Sequence, residues 1–220
     1  MIYEVLDQAI ARAVTDQAAL MTARSIWNRS AGEVHDDEPL YEERAAAFLE
    51  WYLIDFRHPG RSGDRSQIEL QLGTAREADR PQLGALAASH CTLFRIREKS
   101  ADHLLLDDLW GRGTFRVEER RRLTALGPGD LFEARLVADV TAPPALLFAR
   151  TFCFHPREAE AGLRHQIEQA RRAGESREEL LFRLLRLRVR CERYRHVSAA
   201  RVYSADEPTS GENGRTDSRG

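Results

Sequence analysis

The chain has 220 residues, a formal net charge of −2, and 42% hydrophobic and 31% charged side chains, an ordinary composition for a folded globular protein. Near-neutral charge argues against a protein devoted wholesale to nucleic acid or to an anionic membrane surface. Three widely spaced cysteines, Cys91, Cys153 and Cys191, without a C-x-x-C pair indicate neither a disulfide framework nor a zinc ribbon. Of the 33 basic residues 32 are arginine, Lys99 being the exception, a skew that GC-rich coding accounts for. Glu4 and Asp7 stand where a signal peptide needs an apolar core, and no apolar run approaches the ~18 residues of a membrane span. The expected location is the cytoplasm, with no membrane partner.

In chain order, Ile2 to about Trp27 reads as one helix, with Ile2, Val5, Leu6, Ala9, Ala13, Val14, Leu20 and Met21 at helical spacing. Asn28 to Gly32 breaks it, Glu33 to Glu38 is an acidic loop, and a second helix is expected from about Leu40 to Ile54. His58 to Asp64 is a loop by its turn residues. Shorter helices are expected over Ser66–Leu72 and Asp79–Ser89. From Cys91 the pattern changes to alternating or continuous apolar. Strands are expected over Cys91–Arg97, Leu104–Leu106, Thr114–Val117, Leu131–Val140 and Ala145–Phe154, with turns at Gly111–Gly113, Gly127–Asp130 and Pro143–Pro144.

Pro156 restarts helix: Arg157–Ala173, ended by Gly174, then about Arg177–Val197, opened by a capping box of Ser176 and Glu179. The fold expected is therefore α+β, with helices at the N-terminus, a small antiparallel five-stranded barrel-like sheet and a C-terminal helical pair. The division expected is 1–90 helical, 91–155 small β-barrel, 156–203 helices packing with the N-terminal ones, and 204–220 a disordered polar tail.

Residues 39–155 carry Pro39-Leu40-Tyr41-Glu42-Glu43-Arg44, Phe48-Leu49-Glu50-Trp51-Tyr52-Leu53, Leu93-Phe94-Arg95-Ile96, Leu104 to Leu109 and Leu126 to Leu136. In their order and spacing these resemble the region that accompanies SEC-C zinc motifs in some uncharacterised bacterial proteins. The cysteine/histidine cluster of the SEC-C motif is absent, so the resemblance implies no zinc role and transfers no functional residue.

Candidate chemistry is sparse, and no catalytic residue, cofactor or metal ligand is assigned. Gly60-Arg61-Ser62-Gly63-Asp64 lacks the fifth-position glycine of a nucleophile elbow, so a hydrolase using His58, Ser62 and Asp64 is the weakest reading. His35-Asp36-Asp37-Glu38 reads as an acidic linker rather than a metal site. Asp107 and Asp108 in a strand face opposite sides of the sheet, an exposed acid beside one that terminates a turn. His58 and His155, each before a proline, read as boundary residues.

Charge distribution says more. Arg171 to Arg201 holds ten arginines and four glutamates, a balance of +6, while Glu33 to Glu50 holds seven acids and one arginine, a balance of −6. Three readings follow: unrelated solvated surfaces, docking of the C-terminal helix against the acidic helix within the chain, or a partner, acidic protein or phosphate backbone, on the arginine face. The expected function is a non-enzymatic regulator or adaptor, such as a stoichiometric inhibitor or escort. It would bind another protein, or a second copy of itself, through the C-terminal amphipathic helix, using Trp51, Tyr52, Arg183, Arg186, Arg190 and Arg193. The alternative is RNA or single-stranded nucleic acid on the barrel face, with Arg95, Arg97, Phe115, Arg116, Arg120, Arg121 and Arg122 as contacts.

Overall fold

The computed structural model describes residues 2–59, 64–118 and 126–204. Local chemistry sets most helix ends. The expected single N-terminal helix is two, α1 (Ile2–Ala13) and α2 (Gln17–Ala31), because Asp16 caps α2 by accepting the Ala19 N–H at 3.1 Å. In α3 (Tyr41–Ile54), Glu42 and Glu43 occupy the first turn, where the helix dipole favours anions. Ser66 and Glu69 form a capping box for α4 (Gln67–Thr74), and Pro81 lies in the first turn of α5 (Arg80–Ala87).

The strands are β1 (His90–Lys99), β2 (Leu104–Asp108), β3 (Thr114–Val117), β4 (Leu131–Ala138) and β5 (Leu146–His155). They form one antiparallel sheet in the order β3-β2-β1-β4-β5. The class is α+β. The barrel is not formed: the sheet curls but stays open, and β3 and β5 approach at a corner where the Glu118 N–H donates to the Leu146 carbonyl at 2.9 Å. Its concave side is apolar, with Phe94, Ile96, Phe132, Leu136 and Phe148 buried together and the Phe132 ring 5.8 Å from Phe148.

The other side of the sheet faces the helices. A single 3-10 turn (Arg157–Ala159) leads into α6 (Glu160–Ala173), which Gly174 ends in the left-handed conformation at φ 69°. The Ser176–Glu179 capping box opens α7 (Arg177–Arg193). A further helix, α8 (Ala199–Ser204), lies where no helix was expected. It seats closely on α6 because Gly162 has no side chain; a Cβ there would stand 2.6 Å from the Tyr203 Cβ.

Two helical cores result. Trp27, Phe48, Trp51, Tyr52 and Phe56 cluster with Phe182 of α7, the Trp27 and Trp51 rings 5.2 Å apart. The leucine stripe of α7, Leu180, Leu184 and Leu187, packs with Leu163, Ile167, Val202 and Tyr203 and with Leu93 and Leu131 of the sheet. No described helix is long and apolar enough to cross a membrane.

Candidate functional site

Strand alternation puts Glu133 and Arg135 of β4 on the helix-facing side of the sheet. Register then places Cys153 directly opposite Glu133, His155 opposite Leu131, and Cys91 of β1 opposite Arg135. Over this patch lies α3, whose Glu43, Ala47, Glu50 and Ile54 recur at steps of four, three and four on one helical face. The two layers are strapped together where the β4–β5 register shifts. There one Glu50 carboxylate oxygen accepts the Arg150 and Thr151 N–H groups, both at 2.9 Å.

Between the layers is a cavity of about 340 Å³. Trp27, Trp51, Ile54 and Phe182 form its apolar wall, and Glu50, Asp55, Glu133, Arg135, Glu178, Cys91 and Cys153 supply its polar groups. Arg135 is 3% exposed. Its guanidinium donates to Asp55 and to the Ser89 hydroxyl, while its Nε finds no hydrogen-bond acceptor, Glu50 Oε2 standing 3.9 Å away. Burial opposes the Arg135 charge, but Asp55, Cys91 and Glu50 outweigh it and hold the group more firmly protonated.

Elsewhere in the cavity burial dominates. It raises the Glu178 carboxyl above the usual carboxylate range, against a bond from Trp51 Nε1 at 2.6 Å. It raises Glu133 likewise, against a bond to His155. The Cys91 thiol is pushed up to about 12 by burial, and Cys153 is raised well above the ordinary thiol range by burial and by the nearby Glu133 and Glu43. Both sulfurs are thus thiols at neutral pH and poor nucleophiles.

One wall holds a second polar set. His155 Nε2 lies 3.1 Å from Glu133 Oε1 and its Nδ1 lies 2.8 Å from the Tyr203 hydroxyl. The His155, Glu133 and Cys153 ligand atoms all lie within 4.8 Å of one another and all three residues are buried, so they are the group among the described residues that could hold a metal. His155 is therefore no mere boundary residue.

The expected partner-binding residues are dispersed. Trp51 is 8% exposed and forms cavity wall, and Tyr52 is fully buried with its hydroxyl donating to the Ala13 carbonyl. Arg183 bonds Gln166 and Glu175, Arg186 bonds the Ser30 carbonyl, and Arg193 grips Glu38 at 2.6 and 2.8 Å and the Glu33 carbonyl at 2.8 Å. Arg190 is half-buried on α7. The C-terminal helix does dock within the chain, but Arg186 and Arg193 meet the end of α2 and the acidic loop, Ser30, Glu33 and Glu38, rather than the acidic helix.

The expected nucleic-acid residues are also engaged. Arg95 and Arg97 both pair with Asp107, which is buried rather than exposed, and Arg95 also reaches Glu160. Arg116 lies 3.6 Å from Asp102, and Phe115 packs on His90 and Phe94. Asp108 does terminate the turn, accepting the Trp110 and Gly111 N–H groups. Arg120, Arg121, Arg122 and Ser62 lie outside the described residues. Compared with models of protein families, with curated proteins and with solved structures, the chain matches none.

Proposed function

We propose that this protein is a small-molecule binding protein whose site is the cavity between α3, α7 and the β4–β5 side of the sheet. The observation that carries this reading is Arg135: a guanidinium almost wholly buried in a cavity wall, with an N–H that no protein acceptor satisfies. A buried unpaired donor costs about 1–3 kcal/mol, and a ligand oxygen at that position offsets the cost. The ligand chemistry that fits is a carboxylate, phosphate or carbonyl oxygen for Arg135 and a flat apolar part against Trp27, Trp51 and Phe182. The volume, about 340 Å³, lies in the range of small-molecule pockets.

Two further observations support binding in the cavity. The protonated thiols of Cys91 and Cys153 argue against covalent thiol catalysis. The arginines of α7 and of the sheet are largely spent on contacts within the chain, which favours the cavity over an arginine-faced protein or nucleic-acid surface.

The test uses Trp110→Phe as background, so that tryptophan emission reports Trp27 and Trp51 alone, and titrates benzoate, salicylate and phenyl phosphate. At least one probe is expected to change the emission saturably at one equivalent per chain. Arg135→Lys, which retains a cation for Asp55 but loses the Nε donor, is expected to weaken that probe at least about tenfold, the loss of one charge-assisted hydrogen bond. No saturable change with any probe, or equal affinity in Arg135→Lys, overturns the reading.

A further inference from the structure

The side chains of Glu133, Cys153 and His155 make a second arrangement on the same sheet face, and its chemistry is not that of an organic ligand. Two adjacent antiparallel strands supply all three: Glu133 and Cys153 are a directly opposed pair, and His155 follows two residues along on the same face. Thiolate, imidazole and carboxylate together are the donor set of zinc and its neighbours, whereas calcium and magnesium take oxygen ligands. Ligands held about 2.0–2.3 Å from a zinc ion stand somewhat over 3 Å apart; the Nε2–Oε1 separation of 3.1 Å fits directly, and the Cys153 Sγ lies within 4.8 Å of both.

The surroundings support the same conclusion. The Tyr203 hydroxyl at His155 Nδ1 orients the ring with Nε2 towards Glu133 and Cys153, the outer-shell contact that metal-bound histidines make. Glu43 sits beside Cys153, and its Oε1 is buried without a hydrogen-bond partner. Two cations face the cluster. Arg44 acts on Glu133, Glu43 and Cys153 and has buried Nε and Nη1 atoms without acceptors, whereas Arg188 of α7 is paired with Glu192 at 3.0 Å. Glu133, Glu43 and a Cys153 thiolate carry three negative charges, which Arg44 and a divalent ion together neutralise.

We infer that Glu133, Cys153 and His155 form a binding site for a divalent transition-metal ion of the zinc class, with Tyr203 as the residue that positions His155. On binding, a metal–sulfur bond forms and the Cys153 thiol proton leaves to solvent; the ring proton between His155 Nε2 and Glu133 is given up by a change to the Nδ1–H tautomer, which donates to the Tyr203 hydroxyl, so that Nε2 and the Glu133 carboxylate both face the ion. Because Glu133 and Cys153 also line the cavity, the ion's remaining position opens towards it, the arrangement of zinc sites that keep one place for water or substrate. The site stands on its own side chains and does not depend on the organic ligand of Arg135.

The experiment is a titration of the chelator-treated full-length protein with cobalt(II), followed by displacement with zinc. The expected result is one cobalt per chain, with a thiolate-to-cobalt charge-transfer band that zinc abolishes. Cys153→Ser is expected to lose the band, and Cys91→Ser and Cys191→Ser to keep it. Tyr203→Phe should keep the band and weaken cobalt binding about 10–100-fold, the usual effect of removing an outer-shell partner. No charge-transfer band in the wild type leaves Glu133 and His155 as a buried hydrogen-bonded pair and overturns the inference. So does a band that survives in folded Cys153→Ser. The wild-type titration decides the first point even if a variant fails to fold.

Discussion

The two faces of β4 and β5 are one residue apart along the chain and opposite in character. Phe132, Ala134 and Leu136 with Phe148 and Phe152 point to the concave side, an apolar interior that a curled sheet needs to bury. Glu133, Arg135, Cys153 and His155 point to the helices and are as deeply buried, though the carboxyl, guanidinium and imidazole among them are costly to remove from water. The first face explains why the sheet exists. The second lowers stability unless its groups are matched, and the matching is incomplete at Arg135. A protein selected for stability alone would fill that layer with leucine, and this difference is what the proposed binding site rests on.

That comparison breaks first at its apolar side. Phe132→Ala removes a ring that contacts Phe94, Phe148 and Phe152, and is expected to cost about 3–5 kcal/mol of unfolding free energy, read from urea denaturation. On the polar side the expected result is a dependence on partners. Arg135→Met alone orphans Asp55 and Glu50 and should cost about 3 kcal/mol, whereas adding Glu50→Gln, which can still accept from Arg150 and Thr151, should recover at least half. If the double variant is no more stable than the single, the ion pairing is not what the layer depends on.

The smallest effect lies outside both faces, in the loop clasped by α7. Glu38 is lowered from 4.5 to about 2 by its bond to Arg193 and then by the His35 N–H. A carboxyl with a depressed pKa in the folded state adds stability above its unfolded pKa and loses it as pH falls through the folded one. The stability difference between wild type and Glu38→Gln should therefore be constant above pH 4.5 and shrink as the pH falls from there towards 2. Parallel curves over that window would dispose of the clasp.

Local signals made much of this fold legible. The capping box at Ser176–Glu179, Gly174, and the change of period at Cys91 placed helices and strands close to where they stand. The break at Asp16 was missed because Val14 continues the apolar period through it, and capping outweighed that period. α8 was missed because its six residues are too few to show a period and are held by packing on α6.

The candidate site was hidden for a different reason. Glu133 and Arg135 interrupt the run Leu131–Ala138 two residues apart, and Cys153 and His155 do so in β5 at the same spacing; both are visible patterns. What the chain does not display is that β4 and β5 lie side by side in a register that sets Glu133 against Cys153, with His155 and Arg135 to either side. The arginines of α7 were ambiguous in the sequence, since a charged stripe looks alike whether it meets solvent, a partner or, as Arg186 and Arg193 do here, Ser30 and Glu38.

The position of Tyr203 has a consequence for how the molecule is made. The bond it forms with His155 spans 48 residues, so during synthesis the sheet is complete well before the residue that finishes the polar layer has been added. A chain released early, or cut within α8, retains β5 and its histidine but leaves Nδ1 facing a gap. Only a message translated through to α8 yields the finished layer.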